Sequence, residues 1–232
     1  MNDTLLGHGV MVKKFSLMGV AAAAVLAGGV SANAAVIDFT ALPVRTTGPL
    51  MGSVGGTSWV LTGSSGQVQT PQACDGPANG LACVNDGVGI AGSEISGNNK
   101  AYATITFSKQ VALVAAYFYD LFIAADGSNA ESTYITNGAW PSLPVDADVT
   151  VNASEVFKTN NGFKLESGFK LVGTTFTFFV DPNGNDNVGR PDAALAALEI
   201  APVPLPAGGL LIASALGGLG LLRRKQKKAR LA

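Results

Sequence analysis

The chain has 232 residues, 47% of them hydrophobic and 13% charged, with 15 Lys and Arg against 16 Asp and Glu. The apolar share excludes a disordered polyelectrolyte, and a net charge of −1 excludes a global basic field for nucleic acid. The charge is unevenly placed: residues 35–202 carry 7 basic and 15 acidic side chains, a net of −8, and eight of the 15 basic residues sit at the two ends. That middle region suits one domain with a real core and is too short for two.

Lys13 and Lys14 precede an apolar, small-residue run, Phe15 to Val30, which closes with Ser31-Ala32-Asn33-Ala34. Ala32 and Ala34 supply the small side chains that a signal peptidase pocket admits beside its cut. Residues 1–34 therefore read as a secretory signal helix, with Met11 as an alternative start and Ala35 as the first mature residue. A retained anchor is the other reading, disfavoured by the short run and its cleavage site.

The expected domain, residues 35–202, opens with strand candidates at Val36 to Leu42 and Ser58 to Thr62. Between them, Gly52-Ser53-Val54-Gly55-Gly56 lacks the Lys and the strand-to-helix context of a phosphate-binding loop. Cys74 and Cys83, the only cysteines, enclose the turn-rich Asp75 to Ala82. In an oxidising compartment they predict one local disulfide, contributing about 2.7 kcal/mol on the chain-entropy model for a ten-residue loop.

Further on, Ala103, Ile105 and Phe107 alternate with Tyr102, Thr104 and Thr106, the period of a half-buried strand. Strand candidates follow at Val111 to Tyr119, Ser132 to Thr136, Asp148 to Asn152, Phe163 to Val172, Thr175 to Val180 and Ala194 to Ile200. The last is weakened by the helical propensity of Ala193 to Leu198. Gly162-Phe163-Lys164-Leu165 recurs as Gly168-Phe169-Lys170-Leu171, an even offset that puts Phe163, Leu165, Phe169 and Leu171 on one face if the strand runs straight. Nine short strands with Gly-, Asn- and Pro-rich connections predict an all-β fold, an antiparallel, jelly-roll-like β-sandwich.

Three features of this domain raise functional readings. Trp140, in the loop Asn137 to Pro141, offers a ring for stacking on sugars or for capping the sandwich, whereas Trp59 falls in a strand and reads as core. Asp181, Asn183, Asn185, Asn187 and Asp192 follow the 1, 3, 5, 7, 12 spacing of a calcium loop. The sixth position holds Asp186 in place of Gly, and a plain polar turn needs the same residues, so calcium is the only cofactor expected and the turn is favoured. The one histidine, His8, lies ahead of the signal's apolar run and outside the domain, which removes Ser-His and Cys-His pairs and the usual zinc sites. A hydrolase would have to use two carboxylates, with Asp120, Asp126 and Glu131 the least poor candidates.

The tail, residues 203–232, is the most specific part of the chain. Val203-Pro204-Leu205-Pro206-Ala207 leads into the apolar run Gly208 to Leu222 and then Arg223-Arg224-Lys225-Gln226-Lys227-Lys228. A helix from Leu205 to Leu222 would span about 27 Å, enough for a thin bilayer, with the basic cluster held in the cytoplasm. The combination resembles the PEP-CTERM sorting signals of Gram-negative bacteria in their VPLPA-CTERM form. The resemblance covers residues 203–230 and departs from the commoner Pro-Glu-Pro motif at Leu205. It implies recognition of Val203, Pro204, Leu205, Pro206 and Ala207 by an exosortase, a cysteine-dependent membrane transpeptidase, and transfer to the cell surface; an uncut tail anchor has the same hydropathy.

These readings point to an exported surface or extracellular-matrix protein, structural, adhesive or glycan-associated, and not an enzyme. The expected partners are signal peptidase, an exosortase and exopolysaccharide, with the membrane engaged during sorting and no nucleic acid. The alternative is a surface glycoside hydrolase using two carboxylates.

Overall fold

The structure, a computed structural model, describes residues 34–70, 72–74, 76–90, 94–98, 100–138, 147–157, 159–184 and 191–203. The expected signal and tail helices lie outside these residues, and no described helix is long and apolar enough to cross a membrane. The described strands are β1 (Ala35–Asp38), β2 (Thr47–Gly48), β3 (Leu50–Val54), β4 (Thr57–Gly63), β5 (Val68–Gln69), β6 (Ile95–Ser96), β7 (Tyr102–Tyr119), β8 (Phe122–Ile123), β9 (Ser132–Asn137), β10 (Val149–Asn152), β11 (Glu155–Val156), β12 (Lys164–Val180) and β13 (Asp192–Pro202). All pairings are antiparallel except the two-residue match of β8 with β11.

The architecture rests on β7 and β12, which pair from Phe118 opposite Lys164 to Tyr102 opposite Phe179. Their two halves serve different sheets. The first half of β7 and the last of β12 sit in sheet I, ordered β3-β4-β7-β12-β9-β10. The second half of β7 and the first of β12 sit in sheet II, ordered β1-β13-β7-β12. Leu61, Ile105, Ile135, Phe176 and Phe178 of sheet I meet Ile37, Leu113, Phe118, Leu195 and Leu198 of sheet II in one buried core. The result is the antiparallel, sandwich-like all-β fold expected.

Two irregularities make this double membership possible. After Thr106 opposite Thr175, the next match is Val111 opposite Gly173, so Phe107 to Gln110 have a single residue of β12 against them. Gly168 to Lys170 are extruded in turn between Ser167 and Leu171, with Gly168 at φ +84°. Bulges of this kind bend a strand and raise its twist while its neighbours stay hydrogen-bonded. The long strands therefore cross from one sheet to the other with their ladder pairing resumed on each side of the bend.

The sequence reading is corrected at three places, and its strand at Ala194 to Ile200 is upheld. Tyr102 to Phe107 and Val111 to Tyr119 are one strand, as are the runs before and after Gly173 and Thr174, because ladder pairing carries through the bends. β1 stops at Asp38, whose Oδ1 accepts from the backbone N (2.9 Å) and hydroxyl (2.6 Å) of Thr40 and turns the chain into a 3-10 turn, Phe39–Ala41. Ala193 to Leu198 lie in β13, where partners on both sides override helix propensity. The two Gly-Phe-Lys-Leu copies do not share a face: Phe163 packs on Tyr117 and Tyr119 outside, while Phe169 and Leu171 pack against the main core.

Phe118 and Phe176 are fully buried, whereas Leu165 is 41% exposed. Phe118→Ala or Phe176→Ala should each lower unfolding free energy by about 3–5 kcal/mol in urea titrations, and Leu165→Ala by less than about 0.5 kcal/mol.

Candidate functional site

The outer face of sheet II is covered by the segment around the Cys74–Cys83 disulfide, which the structure forms with Cα atoms 5.3 Å apart. Leu81 packs there with Tyr119, Ala194, Ala196 and Ala197, the small side chains of β13 letting the loop lie close. Polar ties fix the rest. The Tyr119 hydroxyl donates to the Pro77 carbonyl (2.8 Å), Ala82 N to Asp38 Oδ2 (2.8 Å) and Cys83 N to Thr40 Oγ1 (2.9 Å). Asn85 Nδ2 donates to the carbonyls of Phe39 (3.1 Å) and Leu42 (2.6 Å), and Asn161 Nδ2 to Asp86 Oδ1 (2.9 Å). At Gly87, φ is +126° and an added Cβ would lie 2.5 Å from the Leu195 carbonyl oxygen, so this close approach requires glycine.

This cap sets the phenol chemistry around it. Burial raises the Tyr119 pKa above 10; the Asn79 hydrogen bond works against that rise, and the charges of Asp86 and Asp38 add to it. On β9, burial first, then the hydrogen bond and charge of Asp181, push Tyr134 up to about 12.

The candidate carboxylates of Glu131 and Asp126 have separate structural duties. Glu131 is 1% exposed; its Oε2 accepts from Phe122 N (2.9 Å) and its Oε1 from Asp192 N (3.2 Å), tying β8 to the start of β13. Asp126 Oδ1 caps its own turn by accepting from Ser128 N (2.9 Å) and Oγ (2.6 Å). Asp120 occupies the turn after β7 at φ +58°, its amide donating to the Asn161 carbonyl (3.0 Å).

In the calcium-spaced loop, Asp181 Oδ1 accepts from Asn183 N (2.9 Å) and Nδ2 (3.2 Å), and Oδ2 from the Tyr134 hydroxyl (2.8 Å). Both oxygens thus hold a turn and a strand in place. Asp192 begins β13 opposite Ser96, and Asn185 and Asn187 lie outside the described residues. Among the described residues no three His, Cys, Asp or Glu side chains converge on a point that could hold a metal. Trp59 is buried edge-on to Phe39 at 5.7 Å, as a core residue; Trp140 lies outside the described residues. Val203 is half-buried just beyond β13, and Pro204, Leu205, Pro206 and Ala207 lie outside the description.

Sequence reasoning missed the outer face of sheet I. Thr62, Thr104, Thr177 and Thr136 stand side by side across β4, β7, β12 and β9. One row over are Met51, Val60, Thr106 and Thr175, and on the other side Tyr102, Phe179 and Tyr134. The Thr177 hydroxyl donates to the Gly138 carbonyl (2.8 Å), so at 3.0 Å it accepts from Thr104. The available signal was the alternate threonines of Thr104, Thr106, Thr175 and Thr177, which mark an outward face as surely as the phenylalanines mark the inward one. Comparison of the chain with protein-family models, with curated proteins and with solved structures finds no match.

Thiol labelling of the denatured protein, isolated without reductant, should find no free cysteine before reduction and two after it. Reduction should lower stability by about 2–4 kcal/mol. The tyrosines add a pH dependence. A folded-state pKa above 10 means the unfolded chain loses the proton first, so stability is complete below pH 10 and falls as pH rises towards 12. Urea titrations at pH 9 and 11 should show that loss, and Tyr134→Phe should make it smaller.

Proposed function

We propose that this chain is an exported protein sorted to the cell surface or extracellular matrix, where it acts as a structural, adhesive or glycan-associated component on a jelly-roll-like scaffold. The observation that carries the reading is the Cys74–Cys83 bond, which ties an otherwise turn-rich cap onto sheet II. Such a bond persists in oxidising compartments and is rare where thiols are kept reduced. The A-x-A site at Ala32 and Ala34 and the VPLPA-CTERM-like tail agree with that compartment from both ends of the sequence. In this reading signal peptidase releases Ala35, and an exosortase acts at Val203 to Ala207.

The geometry favours this over a two-carboxylate hydrolase. Glu131 spends both oxygens on the backbone amides of Phe122 and Asp192, Asp126 Oδ1 holds the Ser128 amide and hydroxyl, and Asp181 holds Asn183 and Tyr134. A general acid and base would instead need two carboxyl groups facing one cleft.

Pro204 and Pro206 keep the motif extended and stop a membrane helix from continuing through it. Intact mass and terminal sequencing of the native protein should give Ala35 at the start and no residues 208–232. Changing both prolines to Ala should trap a full-tail form in the inner membrane with the domain folded. Surface protein that retains residues 208–232 would overturn cleavage and leave a simple anchor.

A further inference from the structure

We propose that the outer face of sheet I binds a neutral polysaccharide. The inference rests on the glycan-associated reading above and gives it a site. Its first support is charge. Residues 35–202 carry a net of −8, yet β3, β4 and the sheet I half of β7 (102–108), whose outward side chains are exposed or half-buried, contain no charged residue; on β12 and β9 the outward Thr177, Phe179 and Thr136 are buried and lie outside the proposed surface. Charges begin only at the rim, where Lys109 Nζ donates to the Gly56 carbonyl (3.4 Å) and Asp148 Oδ2 accepts from Asn137 N (2.6 Å). Sheet II differs, with Lys164, Glu166, Lys170 and Glu199 on its strands.

A solvent-facing sheet of an ordinary soluble domain carries Lys and Glu, above all at its edge strand, to keep other chains away. Here the edge strand β3 presents Met51 at 73% exposure, opposite Val60 at 39%. Around this pair lie Ser53, Ser58, Thr62, Thr104, Thr106 and Thr175, all exposed or half-buried. Each hydroxyl can both donate and accept, and each threonine adds a methyl, which suits the hydroxyl rim and C–H face of a sugar. Strands about 4.8 Å apart hold these groups in a fixed array, and β-branched Thr and Val are stiff at χ1, so little side-chain freedom is lost on binding. An acidic polysaccharide is disfavoured, since β3, β4 and residues 102–108 supply no Lys or Arg to pair with it and the domain is negative.

The test uses the purified full chain and co-sedimentation with cellulose, cross-linked dextran, galactomannan and polygalacturonate. The expected result is retention on at least one neutral polymer and none on polygalacturonate. Thr106→Glu and Thr106→Lys, both at an exposed position and of opposite sign, should each weaken retention at least tenfold with unchanged thermal unfolding. Leu165→Lys, on sheet II, should leave it intact. Retention that survives both Thr106 substitutions would overturn this face while leaving a glycan-associated protein. No retention, with a concentration-dependent dimer that both substitutions abolish in sedimentation velocity, would assign the face to a second copy of the chain. No retention and no self-association would overturn both the face and the glycan reading, whereas surface sorting is decided separately by the tail.

Discussion

The pairing of β7 with β12 is the constraint from which the rest of the molecule follows. Every backbone amide and carbonyl in a buried strand must find a partner, and these two strands are too long to stay in one twisted sheet of this size. They remain partners and bend together, so the bulges at Phe107 to Gln110 and at Gly168 to Lys170 are consequences of keeping the ladder closed. Once the pair bends, its two ends need different neighbours. Sheet I forms around one end and sheet II around the other, and the side chains inside the bend make the core.

The same bend leaves each sheet with a separate outer problem. Sheet II places Tyr117, Tyr119 and the alanines of β13 on its outer side, an apolar surface too thin to bury itself. The cap from Cys74 to Asp86 covers it, but consists mostly of turn residues with only Leu81 buried as a large apolar anchor. A segment with so few apolar contacts does not recover its ordering entropy from packing alone. The disulfide reduces that entropy in the unfolded chain, and hydrogen bonds donated by Tyr119 and Asn161 and accepted by Asp38 and Thr40 set its position.

Much of this was legible in the sequence wherever a local rule governs. Period-2 alternation at Ala103, Ile105 and Phe107 is buried as the pattern requires, and Cys74 and Cys83 are joined across a turn-rich loop. What was not legible depends on register. Nothing near Gly168 in the sequence says that β12 slips against β7 there, and that slip decides why Phe163 and Phe169 serve different clusters. Asp181 illustrates the same limit at the site: its spacing with Asn183 fits a cation loop and an Asx turn equally, and only the position of Tyr134 on the neighbouring strand shows where its second oxygen is spent. Ala193 to Leu198 carried a helical signal that two flanking strands overrule.

Charge follows from the division between the sheets. An acidic domain repels its like-charged neighbours, and this domain places its charge on sheet II and on loops. If solubility alone shaped the surface, the exposed positions of β3 and β4 would be the easiest places for further Lys and Glu, since no tight packing constrains them. They hold Met51, Ser53, Ser58, Val60 and Thr62 instead. An uncharged, hydroxyl-bearing surface at an edge strand is a liability in a monomer free in solution. In a protein that spends its life against a neutral polymer the same face is covered, and the missing charges cease to be an anomaly.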